Sequence, residues 1–212
     1  MHYLLLLLFA PLMAGTNNNT KPLNGSSSPL SDFSEEWNDP KYAACNTAAD
    51  ANYMSDDEKD VIYILNLART NPKLFCATVV KQYPEYSDNA ELINITYYQS
   101  LIATMNSMKK LPLLQPDENC FTSAECHAYN LGITGAEGHV RTDSCCDLQY
   151  YNAECCSYGK ADPLDIVMQL LIDYAVPSLG HRKACFGIYK TVGVSIQPHK
   201  KWDTAAVLDF HL

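Results

Sequence analysis

At 212 residues the chain is long enough for one domain with some extra at an end. Hydrophobic residues make up 47%, sufficient for a single core. A formal net charge of -9, with no basic run beyond "KK" at 109–110 and "HKK" at 199–201, weighs against nucleic acid or an anionic membrane as partner, since both reward basic surfaces.

The chain begins "MHYLLLLLFAPLMAG". Its apolar run is too short for a bilayer span of about 20 residues and fits the hydrophobic region of a signal peptide over residues 1–15. That predicts a secreted protein, or a periplasmic one in a bacterium, without a stable transmembrane anchor. Residues 16–50 are rich in Asn, Ser, Pro and Gly at the start and read as a flexible linker. Asn18, Asn24 and Asn94 each begin an Asn-x-Ser/Thr triplet.

A compact domain is expected over 51–212. Ser55 and Glu58 form a capping box ahead of Val61, Ile64, Leu65 and Ala68 at helical spacing. Asn71-Pro72 reads as an N-cap followed by proline at the first helical position, so a second helix starts there. A third is expected over 89–106. A fourth opens near Asp117, turns Ala124, Ala128 and Leu131 inward and closes at Gly132. A fifth runs from about Pro163 to Ala175. "TVGVSI" (191–196) and "AAVLDF" (205–210) predict a terminal hairpin around "QPHKKWDT". Helices first and strands later predict an α+β fold.

Nine cysteines suit an oxidising compartment. Cys145-Cys146 and Cys155-Cys156 are adjacent pairs, not the C-x2-4-C spacing that brings two sulfurs to one zinc ion, and no C-x-x-C redox motif is present. Neighbouring side chains on an extended chain point to opposite faces. Bridges across the intervening loop, 145/146 with 155/156, are therefore preferred over adjacent-residue disulfides. Cys76 and Cys185, in apolar surroundings, read as buried small residues. Among the histidines, His139 and His181 each follow a glycine. His127 falls within a helix and reads as a helix-face or core residue, and His199 as a solvated turn residue. His139, His181, Glu154 and Asp173 could together hold a divalent cation or do acid–base work.

In order and spacing, "EKDVIYILNLARTNPKLF", "LQPDENCFTSAECHAYN", "GHV", "NAECCSYG", "LLIDYAVPSLGHRKACF" and "VGVSIQPH" with "AVLDF" resemble the CAP superfamily, which groups cysteine-rich secretory proteins, insect antigen 5 and plant pathogenesis-related proteins. The resemblance covers about residues 55–212 and is nearest the short, bacterial-type members. It implies an α-β-α sandwich with a small, mainly antiparallel sheet, and a cavity tetrad of His139, Glu154, Asp173 and His181. Glu154 is flanked by Ala153 and Cys155 where the family has Gly and Asn, and Asp173 is one methylene shorter than the family's glutamate.

The resemblance implies a cavity for zinc or another divalent cation, held by His139 and His181. It implies an extracellular lipid- or sterol-binding or protein-binding module. A second reading is a metal-assisted or acid–base hydrolase in which Glu154 activates water beside His139 and His181. A third is a structural extracellular domain whose tetrad only stabilises the cleft. No serine, cysteine or threonine is placed by sequence as a nucleophile.

Overall fold

The structure, a computed structural model, describes residues 27–141 and 150–212. The expected signal peptide, and Cys145 and Cys146 of the expected cross-loop bridges, lie outside these residues. In chain order the elements are α1 (Asp56–Thr70), α2 (Pro72–Phe75), α3 (Lys81–Tyr86), α4 (Thr96–Ser107), β1 (Gln115–Pro116), α5 (Glu118–Thr134), β2 (Ala153–Tyr158), α6 (Pro163–Ile172), α7 (Gly180–Cys185), β3 (Thr191–His199) and β4 (Asp203–His211).

Helix α1 starts where the capping box places it. Ser55 Oγ accepts from Glu58 N and Glu58 Oε2 accepts from Ser55 N. The other oxygen of Glu58 accepts from Ile196 N at 2.8 Å, so the cap also pins α1 to the end of β3. Asn71 caps α2, with Pro72 at its first position. A π-helical turn, Cys76–Val80, joins α2 to α3. Pro84 sits inside α3 and has no N–H for the carbonyl of Val80. Tyr98, on α4, supplies the missing donor through its hydroxyl at 2.7 Å.

The chain from residue 27 to 50 is not the loose linker expected. Leu30, Trp37, Tyr42, Cys45 and Ala48 are buried in the main core. Trp37 donates to Thr78 Oγ1 at 3.1 Å. Asn66 of α1 donates to the carbonyls of Cys45 and Leu114 and accepts from Leu114 N. Buried aromatics and a fully bonded asparagine outweigh the Ser/Pro/Asn composition that suggested disorder.

The sheet is mixed, in the order β1-β3-β4-β2. β1 runs parallel to β3, whereas β3–β4 and β4–β2 are antiparallel. Val192, Val194, Ala206, Leu208, Phe210 and Cys155 face the large core with α1, α6 and α7. Val207 and Cys156 face the other way, against Ala124, Ala128 and Leu131 of α5. The α+β fold expected from sequence is thus present, with helices on both faces of the sheet.

Two glycines let α5 lie close to the sheet. A Cβ on Gly193 would stand 2.0 Å from Phe121 N, and one on Gly132 would stand 2.1 Å from Pro198 O. Gly132 is therefore a contact residue and not the helix end. Gly135, left-handed at φ 74°, caps α5. Helix α6 also ends earlier than expected, with Asp173 as its left-handed C-cap at φ 56°. The hairpin strands run further than expected and take in His199, which is buried. Its Nε2 donates to Ala136 O at 2.9 Å, and its Nδ1 accepts from Lys201 N and Trp202 N. Within the described residues no helix is long and apolar enough to cross a membrane.

Candidate functional site

Antiparallel register sets Glu154 of β2 opposite Asp209 of β4, and Asp209 opposite Gly193 of β3. This row faces α5. Helical spacing puts Ser123 and His127 on one side of α5, above the row. Gly193, lacking a side chain, admits the helix backbone there. Ser123 Oγ donates to Asp209 Oδ2 at 2.5 Å. His127, buried, donates through Nε2 to Gly138 O at 3.0 Å and lies 3.6 Å from Glu154 Oε1.

Beyond α5, left-handed Gly135 and Gly138 (φ 74° and 94°) turn the chain back over the sheet. Gly138 N donates to Tyr158 Oη at 2.8 Å, which delivers His139 to the edge of β2. His139 Nδ1 donates to Glu154 Oε1 at 2.8 Å. Two residues on, Arg141 bonds Glu154 Oε2 and reaches Asp209 Oδ2 at 3.0 Å.

The other half of the site comes from the opposite face. Asp173 lies past α6, and His181 in the first turn of α7. His181 Nδ1 donates to Asp173 Oδ1 at 2.7 Å, and Arg182 N donates to Asp173 Oδ2 at 3.2 Å. In its left-handed conformation Asp173 turns its short carboxylate back to α7. The Arg182 side chain is buried and donates to the carbonyls of Leu171, Ile172 and Tyr97 and to Ser100 Oγ, at 2.6 to 2.9 Å. It fixes the turn that carries His181.

The two halves meet at the free edge of β2. The His139 and His181 rings lie 6.0 Å apart, centre to centre. Their carboxylate partners are buried, with side chains 2% and 0% exposed, whereas the imidazoles are 53% and 21% exposed. All four residues expected from sequence are therefore brought together. Each histidine uses Nδ1 on a carboxylate, and among the described residues neither Nε2 has a hydrogen-bond partner.

Sequence reading missed Arg141, Asp209 and Ser123, and set His127 aside. Asp209 carried a legible signal, since a carboxylate interrupts the apolar strand "AAVLDF" at a position facing a helix. His127 gave none, because a core histidine and a site histidine look alike on a helix.

Charge is unevenly spread through this network. Burial pushes Glu154 up, but the His139 hydrogen bond and the nearby His127 and Arg141 outweigh it and hold the carboxyl below the usual range. Burial, and then the charge of Glu154, push Asp209 up to about 8. The Glu154 hydrogen bond raises His139 against the effect of its burial, and burial lowers His127. Arg141 Nε and Asp209 Oδ1 are buried without partners among the described residues.

His127, Glu154 and Cys156 form a group that could hold a metal ion, with ligand atoms all within 4.8 Å of one another. Such an ion would have to displace the His127–Gly138 bond and sit beside the Arg141 guanidinium. Cys156 lies 3.7 Å from His139 Nδ1, and Cys155 projects from the opposite face of β2. Both are free thiols in the structure, so neither is joined to the loop as the cross-loop pairing expected. No family model, no curated protein and no solved structure matches the chain.

Proposed function

We propose that the protein is a secreted binding module of the CAP type, whose tetrad takes zinc or another divalent cation on His139 and His181. The observation that carries this reading is the pair of imidazoles at the β2 edge. Each is held at Nδ1 by a buried carboxylate and has no partner at Nε2 among the described residues. Carboxylate-backed neutral imidazoles are the donor pattern of zinc and related divalent ions, the carboxylate fixing the tautomer and raising ligand basicity. The bound ion would supply a Lewis-acidic point at the rim. Glu154 and Asp173 would orient the two imidazoles, and Arg141 would balance the charge beneath.

The same geometry favours binding over hydrolysis. A general base works best with a pKa near the working pH and an oxygen free to reach water. Both oxygens of Glu154 are engaged, one by His139 and one by Arg141, and its pKa is lowered. Partners of the proposed module are a lipid or sterol, or an extracellular protein. A concavity of about 400 Å³ lined by Tyr83, Leu92, Ile95, Ile172 and Tyr174 offers apolar walls for the former.

Calorimetric titration of metal-free protein with zinc tests the reading, repeated on His139→Ala and His181→Ala. The expected result is one ion per chain in the parent and none in either variant. No uptake by folded parent protein would overturn it. Ion uptake that survives both changes but is lost in His127→Ala would move the site to the group beneath.

A further inference from the structure

We propose that Cys155 and Cys185 are the two ends of a disulfide that ties the strand carrying Glu154 to the helix carrying His181. Six described cysteines are free and buried. Four of them contact groups other than a thiol. Cys45 donates to Thr70 Oγ1, Cys76 to Ile102 O, Cys120 lies against Thr191 Oγ1, and Cys156 lies beside His139. Cys155, buried on β2, instead interacts with another thiol, that of Cys185, buried on α7 where that helix packs against the strand.

The surroundings make this more than a chance approach. Cys155 directly follows Glu154 on β2, and its Sγ also reaches His181 O at 3.7 Å. Cys185 lies one helical turn beyond His181 on α7, so the two residues share a face of that helix. Helix α7 packs on β2 at this point. A bond between these sulfurs would span the seam between the two halves of the tetrad, each end next to a tetrad residue. The adjacent Cys156 points to the other face and cannot substitute for Cys155.

The chemistry is thiol–disulfide exchange with an external disulfide such as glutathione disulfide. Two cysteine S–H bonds and the oxidant's S–S bond break. One protein S–S bond forms, and the oxidant leaves as two thiols that carry the protein's hydrogens. Both cysteines are buried, 0% and 1% exposed, and burial pushes the Cys155 thiol well up, which disfavours the attacking thiolate. The bond therefore forms while the chain folds in an oxidising compartment, and the closed core then protects it from reductants.

The experiment is refolding of the full, reduced and denatured chain in a glutathione redox buffer, followed by non-reducing peptide mapping. Trypsin releases residues 184–190 with Cys185 as their sole cysteine. Chymotrypsin cutting after Tyr150 or Tyr151 separates the 145/146 pair from the 155/156 pair. The expected product links the Cys185 peptide to the 155/156 peptide. That link should persist in Cys156→Ala and vanish in Cys155→Ala. Intact folded protein should resist reduction by glutathione and yield to it only after urea is added. A Cys185 peptide that is free in refolded parent protein, or joined to any cysteine other than Cys155, overturns the proposal. The mapping uses no metal, so its failure leaves the zinc titration to stand or fall on its own result.

Discussion

Glu154 and Asp173 each hold an imidazole by Nδ1, at 2.8 and 2.7 Å, yet their surroundings differ in kind. Around Glu154 the partners are ionisable: Arg141, Asp209, His127 and His139. Around Asp173, beyond His181 itself, the partner is backbone, the N–H of Arg182. Arg182 spends its guanidinium on three carbonyls and a hydroxyl, and the turn from 173 to 179 holds Asp173, Ala175 and Leu179 in left-handed conformations. A carboxylate that loses its cation can relieve the loss by taking up a proton. A carbonyl has no such recourse. The β2–β4 half of the site is therefore adjustable, and the α6–α7 half is rigid.

Arg182→Met should break the rigid half outright. It leaves buried carbonyls of Leu171 and Ile172 without their donor and releases a strained turn. The expected loss is about 3–5 kcal/mol, read from the urea midpoint. Arg141→Met is the matched test on the adjustable half. It strips both carboxylates of a shared cation, but Asp209, already raised to about 8, can stay protonated. The expected loss is smaller, about 1–3 kcal/mol at neutral pH, and it should shrink further as pH falls. Equal losses in the two variants would erase the distinction.

Between these halves the fold was legible to different depths. The capping box at Ser55, the Asn71-Pro72 start and the inward set on α5 could be read directly, because each depends on neighbours within one turn. Glu154, Asp173, His139 and His181 could be named as candidates by residue type, but their placing in one cavity came through a resemblance, since they meet by sheet register and loop return. Arg141 was missed for the same reason, whereas Asp209 left a signal as a carboxylate within an apolar strand and His127 was set aside as a core histidine. The error over residues 27–50 has another source. Composition describes what a segment averages, whereas Trp37, Tyr42 and Leu30 anchor it one residue at a time.

The two α5 glycines sharpen the same lesson, since α5 carries Ser123 and His127 over the adjustable half. By sequence Gly132 reads as the helix cap. In the fold it lies under the β3–β4 hairpin, and its O accepts from Lys200 N at 3.1 Å. Gly132→Ala must push α5 off Pro198, at about 1–3 kcal/mol. Gly135→Ala meets no close backbone and carries only the left-handed penalty, about 1 kcal/mol. Thermal unfolding of the two variants should rank Gly132→Ala as the more damaging. The reverse order would mean that the contact is softer than the cap.

A further expected effect is a slope with pH. Asp209 titrates near 8 in the folded chain against 3.8 when unperturbed, and His139 is raised above 6.5. Between about pH 6.5 and 8 both groups bind more protons in the folded state than in the unfolded one, so stability falls as pH rises through that window. The other two groups act below it. Lowered His127 costs stability only where unfolded histidine is protonated, below about 6.5, and lowered Glu154 loses its contribution only as pH falls through the carboxylate range. One proton corresponds to at most about 1.4 kcal/mol per pH unit. Urea midpoints at pH 6.5 and 8 should decline accordingly, and Asp209→Asn should flatten most of the decline while keeping the Ser123 contact. A decline that survives Asp209→Asn unchanged would overturn the assignment of that slope to the adjustable half.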